Sequence, residues 1–170
     1  VPCIYALCAF LAFISTGPDV SFPLIAALSS YLAIVVTYKT GYDGPWILVF
    51  LIGMVFGGIM GALNGFIIVK YKFASLIVTL GTSSIFSGLL LGAFEAERMD
   101  LPDTLQRFGK ASLLTVKNAK TGLGSTLPMT FLIMVVLYII TYLVLNYTMV
   151  GRGVYAIGGD EISAERAGFP

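Results

Sequence analysis

Three stretches of 22 or more residues carry no charged side chain at all: residues 46–69, 73–94 and 127–150. As α-helices they rise about 33–36 Å, enough to cross a hydrocarbon core of about 30 Å with some tilt. Only 11% of the residues are charged, against roughly 25% in soluble domains, and the mean hydropathy is +0.94. Backbone polar groups in lipid must be satisfied internally, so the fold class is all-α: a polytopic transmembrane helical bundle over 1–170. Residues 22–38 form a further, shorter helix of about 25 Å, and residues 1–14 form one of about 21 Å, read as the end of a truncated helix.

The charges divide the rest. Five of 19 lie in 1–94 (Asp19, Lys39, Asp43, Lys70, Lys72), nine in 95–126, none in 127–150 and five in 151–170. Lys39–Pro45 is a turn punctuated by Gly41, Asp43, Gly44 and Pro45, and Lys70–Lys72 is a tight basic turn. Parity then places loop 95–126 on one side and segment 151–170 on the side of Lys70–Lys72. Counting cations does not orient the chain: four (Lys70, Lys72, Arg152, Arg166) face six (Lys39, Arg98, Arg107, Lys110, Lys117, Lys120). Within the loop, Pro102 and Asp103 start a short surface helix and Gly109 ends it.

Several chemistries are excluded. A net charge of +1 argues against a nucleic-acid partner. Histidine is absent, and Cys3 and Cys8 fall about 140° apart on a helix, so they are reduced apolar packers. No acids pair on a helix face and no zinc spacing exists, so the chain is not an enzyme and binds no metal. It also lacks the G-x-x-x-x-G-K-S/T phosphate cradle.

Gly53, Gly57, Gly61 and Gly65 recur every fourth residue, a bare stripe for close approach of a neighbouring helix. Ser84, Gly88 and Gly92 repeat the spacing in the next span. Asn64 sits beside Gly65, and Thr79, Thr82, Ser83, Ser84 and Ser87 line 73–94. Such hydroxyls bond back to their own helix; lining a polar route is the alternative.

The stretch ISTGPDVSFP, residues 14–23, interrupts two apolar runs. Pro18 disfavours helix at Gly17. Ser21 or Asp19 caps the following helix, with Pro23 in its first turn where a missing N–H is harmless. Capping accounts for Asp19 at a surface turn. At membrane depth the same break survives only where protein or water covers it, and an exposed Asp there costs roughly 3 kcal/mol or more. In the tail, Gly158-Gly159 reads as a hinge and Asp160 as an N-cap. Glu161 falls in the first turn, Arg166 in the last, and Gly168 stops a short helix lying off the membrane.

The segment TMVGRGVYAIGGDEISAERAG resembles the cytoplasmic loop of permease subunits of sugar-type ABC importers, the ribose, xylose, galactose and autoinducer-2 systems. The matching positions are Gly151, Arg152, Tyr155, Ala156, Ile157, Gly158, Gly159, Asp160 and Ala164. LIVTLGTSSIFSGL, residues 76–89, is similar to that family's F-I-V-T-L-G-T-x-x-I-x-x-G-L run, and STGPDVS to its S-G-G-I-D-L-S. Thr16, Pro18 and Ser87 depart from the pattern. The resemblance implies an internal fragment of a permease of about ten helices, in agreement with an opening Val1 and a close at Pro170. It implies that 151–170 is cytoplasmic, with residues 160–168 as the coupling helix docked in a separate ATP-binding subunit. Gly151, Arg152, Tyr155, Gly158, Gly159, Asp160, Glu161 and Ala164 would carry that coupling. Loop 95–126 would face an extracytoplasmic substrate-binding protein, and a second permease subunit would complete the path. The break would lie toward the translocation route, with Ser15, Asp19, Ser21, Asn64, Thr79 and Thr82 as candidate pathway residues. An ion-coupled secondary transporter with Asp19 as its coupling site is the competing reading.

Overall fold

The computed structural model describes residues 2–15, 17–42, 44–93, 102–117 and 124–168. Val1, Thr16, Asp43, Phe94, residues 95–101 and 118–123 of the expected external loop, and the last two residues of the tail lie outside this set. Helix α1 covers Pro2–Ser15, α2 Phe22–Thr40, α3 Trp46–Tyr71 and α4 Ser75–Gly88, which a π-helical turn extends through Leu89–Ala93. A short helix α5, Asp103–Lys110, precedes a hairpin of β1, Ser112–Lys117, and β2, Gly124–Pro128. Helix α6, Met129–Tyr147, leads into α7, Met149–Gly159, and α8, Glu161–Arg166. Four helices are long and apolar enough to cross a membrane: α2, α3, α4 with its π turn, and α6.

Local chemistry sets the helix limits. Helix α2 has Pro23, which lacks a donor, as its second residue, while Leu24 N and Ile25 N both bond to Ser21 O at 3.1 and 2.9 Å. It stops at Gly41, whose φ of 60° takes the left-handed conformation and returns an N–H to Thr37 O and Tyr38 O. Pro45 precedes α3, whose 26 residues rise about 39 Å. The long run 127–150 is not one helix. It breaks at Thr148, an extended residue whose Oγ1 donates to Val144 O at 2.7 Å and accepts from Gly151 N at 3.2 Å. A side-chain oxygen thus ends one helix and caps the next.

The core sits where α2, α3 and α4 meet. Leu28, Met60 and Phe86 are buried there, flanked by Leu24, Ile25, Leu32, Phe56 and Leu90. The glycine stripe divides. A Cβ on Gly53 would lie 3.8 Å from Ala33 Cβ, and one on Gly57 3.6 Å from Ser29 Oγ, so these two bring α3 against α2. Around Gly61, Gly65, Gly88 and Gly92 no described atom lies within 4 Å of that position. The far halves of these stripes therefore face away from the described part of the bundle. Large apolar residues such as Met54 and Val69 are about 70% exposed, as suits an outer face solvated by lipid.

Helix α5 packs across the start of α3. Phe108 stacks on Trp46 with ring centres 4.4 Å apart and meets Phe50 edge-on at 5.6 Å. Met129 N bonds to Ala111 O at 3.1 Å, tying the hairpin's exit to the end of α5. The hairpin pairs Leu114 with Leu127 and Lys117 with Gly124, with an irregularity between Ser112 and Leu114. It is an element that the residue pattern does not disclose. These contacts put α5 and the start of α6 at the Trp46 end of α3. Helices α7 and α8 follow α6 at its other end, where α7 meets the end of α1.

Candidate functional site

Four of the six buried polar residues among those described, Ser21, Asn64, Ser75 and Thr79, lie at or against the break between α1 and α2. Gly17 takes a φ of 110°, a conformation suited to glycine, and its N–H reaches back to Ala12 O at 3.2 Å. The chain then runs irregularly through Pro18, Asp19 and Val20 before Phe22 starts α2. Three hydroxyls of α4 satisfy this stretch. Ser75 Oγ donates to Pro18 O at 3.2 Å, Thr79 Oγ1 accepts from Val20 N at 3.4 Å, and Ser83 Oγ donates to Val20 O at 3.2 Å. Ser75, Thr79 and Ser83 are spaced by four, so they lie on one face of the helix. The break is thus clamped to α4 by side chains rather than by secondary structure.

Asp19 and Ser21 do not cap α2 in the expected way. Ser21 has helical backbone angles (φ −85°, ψ −23°) and makes no side-chain bond to the first turn. Asp19 Oδ1 instead accepts from both the N–H and the hydroxyl of Ser21, each at 2.7 Å. Ser21 Oγ in turn accepts from Asn64 Nδ2 at 2.8 Å. The result is a chain from α3 to the carboxylate, Asn64 to Ser21 to Asp19, in which Ser21 is fully buried and Asn64 nearly so. Asn64 Oδ1 has no hydrogen-bond donor among the described residues. Asn64 precedes the end of α3 by seven residues, about 10 Å of helix. The cluster therefore lies inside the bundle, two turns in from the Lys70–Lys72 end.

Of the candidate pathway residues, Asp19, Ser21, Asn64 and Thr79 come together in this cluster. Ser15 and Thr82 do not join it: Ser15 Oγ bonds to Ala12 O at 3.1 Å, and Thr82 Oγ1 to Val78 O at 3.1 Å. Ser84 bonds back to Leu80 O at 3.1 Å. Hydroxyls on one helix thus divide between back-bonding and clamping. Ser75 was not among the expected residues, and Ser83 was named only among the hydroxyls lining 73–94, although the S-x-x-x-T-x-x-x-S spacing around Thr79 carries the signal.

The tail differs from a hinged strap. Gly158 and Gly159 are the last residues of α7, not a flexible joint. Gly158 is pressed against the end of α1: a Cβ there would overlap the carbonyl oxygen of Ile14 and lie 2.9 Å from its carbon. Gly151 meets the Leu145 backbone as closely, which lets α7 turn sharply off α6. Arg152 is exposed and reaches Met149 Sδ at 2.8 Å, and Tyr155 is half exposed. The bend falls at Asp160, extended at φ −158° and ψ 113°. Asp160 Oδ2 accepts from the hydroxyl of Ser163 and from its N–H at 3.1 Å, capping α8, which Glu161 opens. The bond from the Ser163 hydroxyl, then that from its N–H, holds the Asp160 carboxyl below its ordinary 3.8. Ala164 is buried at 3% exposure. No group of three or more His, Cys, Asp or Glu side chains gathers among the described residues.

Comparison with known proteins places these features in a family. The chain is 30% identical over 162 residues to the D-allose transport system permease protein AlsC of Escherichia coli (strain K12), covering 94% of this chain and 45% of that protein. It is 33% identical over 164 residues to the fructose import permease protein FrcC of Rhizobium meliloti (93% and 43%). It is 32% identical over 156 residues to the ribose import permease protein RbsC of Bacillus subtilis (strain 168) (90% and 44%). The chain thus spans less than half the length of each of these relatives. No solved structure matches it significantly. The family model described as the permease component of the branched-chain amino acid transport system matches residues 2–170. With its four membrane-crossing helices, the chain belongs to that permease family and is a multi-pass membrane protein.

Proposed function

We propose that this chain is part of a permease subunit of an ATP-driven ABC importer for a sugar or similar small polar solute. It does no covalent chemistry. Hydrolysis belongs to a separate ATP-binding subunit, which carries the ATP and Mg. A substrate-binding protein delivers solute at the α5–hairpin side, and a second permease subunit completes the path. The observation that carries the reading is the bent α7–α8 arm. Its α7 is seated by Gly158 on the last turn of α1, directly before the broken segment. Such an arm joins a partner outside the membrane to the irregular backbone of residues 17–21. The relatives named for allose, fructose and ribose support a sugar-type solute.

The pathway residues in this reading are Asp19, Ser21, Asn64 and Thr79. A solute carrying several hydroxyls exchanges hydrogen bonds with the neutral Ser21, Asn64 and Thr79 and donates one to the Asp19 carboxylate. The test is uptake by proteoliposomes holding the full-length protein with and without its ATP-binding subunit. ATP-dependent uptake that disappears with Glu161→Arg plus Ala164→Asp, while membrane insertion is unchanged, is the expected result. Uptake driven by a proton or sodium gradient without ATP refutes it and returns Asp19 to the role of an ion-coupling site.

A further inference from the structure

We propose that segment 17–21 is a two-state gate and that the Gly158–Ile14 contact is the lever that throws it. The inference rests on the importer reading above and adds the moving part and the point where force enters.

The clamp on this segment has a built-in alternative. Pro18 O, Val20 N and Val20 O are bonded to hydroxyls of Ser75, Thr79 and Ser83 rather than to a backbone ladder. A hydroxyl beyond the first turn of a helix has a second partner within reach, the carbonyl three or four residues before it. Thr82 and Ser84 on the same helix already use theirs, and Thr79 Oγ1 donates to Leu76 O at 3.3 Å while accepting from Val20. Release of the segment therefore leaves Thr79 and Ser83, which lie inside α4, with a carbonyl of their own helix to bond, and frees only Ser75, the first residue of α4. The closed arrangement is also imperfect, because Asn64 Oδ1 is buried without a donor among the described residues. A buried unpaired acceptor raises the energy of the state that contains it. That narrows the gap to an open state in which the amide meets a donor, such as a solute hydroxyl.

The lever follows from proximity. Gly158 touches the carbonyl of Ile14, three residues before Gly17. With no side chain between them, backbone bears on backbone, and a shift of α7 moves the end of α1 directly. Gly17, at φ 110°, and Pro18, with no donor of its own, leave the segment below free of helical hydrogen bonds that would resist the motion. Gly158 is thus a positioning residue, acting through Ile14 on the segment that the α4 hydroxyls hold.

The experiment uses the full-length protein with its ATP-binding subunit in nanodiscs, in a cysteine-free background. Val20→Cys reports the gate, because the Val20 side chain is partly exposed and only its backbone is clamped. The expected result is maleimide modification that changes about tenfold between nucleotide-free and ATP-trapped complexes, a usual range for coupled sites. Gly158→Val removes that nucleotide dependence while the ATP-binding subunit still co-purifies. Should Gly158→Val fail to fold, Ser75→Ala with Ser83→Ala gives an independent reading: Val20→Cys becomes fast to modify without nucleotide. An intact complex that hydrolyses ATP, yet modifies Val20→Cys at one rate in every state, overturns the gate alone. Full nucleotide dependence in Gly158→Val overturns the lever. Absence of any ATP-binding partner from the native complex overturns the importer reading and this inference with it.

Discussion

Ser21→Ala removes one oxygen and strips two neighbours at once. Asn64 Nδ2 loses its acceptor at 2.8 Å and Asp19 Oδ1 loses one of two donors at 2.7 Å. Asn64 then has neither end of its amide paired, at 4% exposure, because its Oδ1 already lacks a donor. Interhelical hydrogen bonds in membranes average only about 0.6 kcal/mol, since the unfolded chain in lipid finds other partners. Stranding a buried polar group is worse, at about 1–3 kcal/mol. The stranding effect dominates, and Ser21→Ala is expected to destabilise by about 2 kcal/mol. Asn64→Leu removes the amide altogether, so the double variant Ser21→Ala with Asn64→Leu recovers about 1 kcal/mol of that loss. Reversible unfolding in mixed detergent micelles gives all corners of the cycle. A Ser21→Ala change below about 0.5 kcal/mol, or strictly additive single changes, refutes the argument that this chain of bonds holds the break to α3.

Further outcomes test other parts of the fold. Trp46 is the single tryptophan and stacks on Phe108, so Phe108→Ala should red-shift its emission and expose it to a soluble quencher; an unchanged spectrum removes α5 from the end of α3. The aromatic contact itself is worth about 1 kcal/mol beyond its buried area. Gly57→Leu forces a side chain into Ser29 and Ile25 and should destabilise by about 1–3 kcal/mol, whereas Gly61→Leu meets nothing within the described chain; unfolding in detergent distinguishes them, and equal effects refute the split stripe. The Asp160 carboxyl is lowered in the folded state, so its cap on α8 is fully present above the ordinary 3.8 and is lost as pH falls through the lower folded value. Hydrogen exchange at the Ser163 amide, corrected for intrinsic rate, should therefore accelerate only at strongly acidic pH. Ser163→Ala should move that onset upward, because the first of its donors is gone.

Much of the architecture is legible along the chain because it depends on neighbours in sequence. Charge-free runs mark the spans, Gly41 and Pro45 mark a turn, and Pro102 with Asp103 marks the start of α5. Asp160 marks the cap of α8. Each follows from local sterics, local hydrogen bonding or hydropathy, and none needs a partner element. The family resemblance also lay in contiguous motifs, and the family match over residues 2–170 agrees with it. The break at Gly17-Pro18 was equally visible, but not what its residues do.

Those roles depend on elements far apart. Val20 meets Thr79 across 59 positions, Ser21 meets Asn64 across 43, and Pro18 meets Ser75 across 57. No periodicity in one segment specifies which hydroxyl turns back to its own helix and which reaches across. That choice is made when α4 packs beside a backbone that lacks its own hydrogen bonds. The same holds for glycine. Gly158 reads as a joint because glycine loosens an isolated chain, yet against Ile14 it is the one residue small enough to fit. By itself the sequence determined that this chain crosses a membrane, where it crosses, and where its backbone breaks, since lipid and local sterics act on each segment alone. Only the tertiary structure decided what covers the break and what leans on it, because buried polar groups take the nearest partner in space.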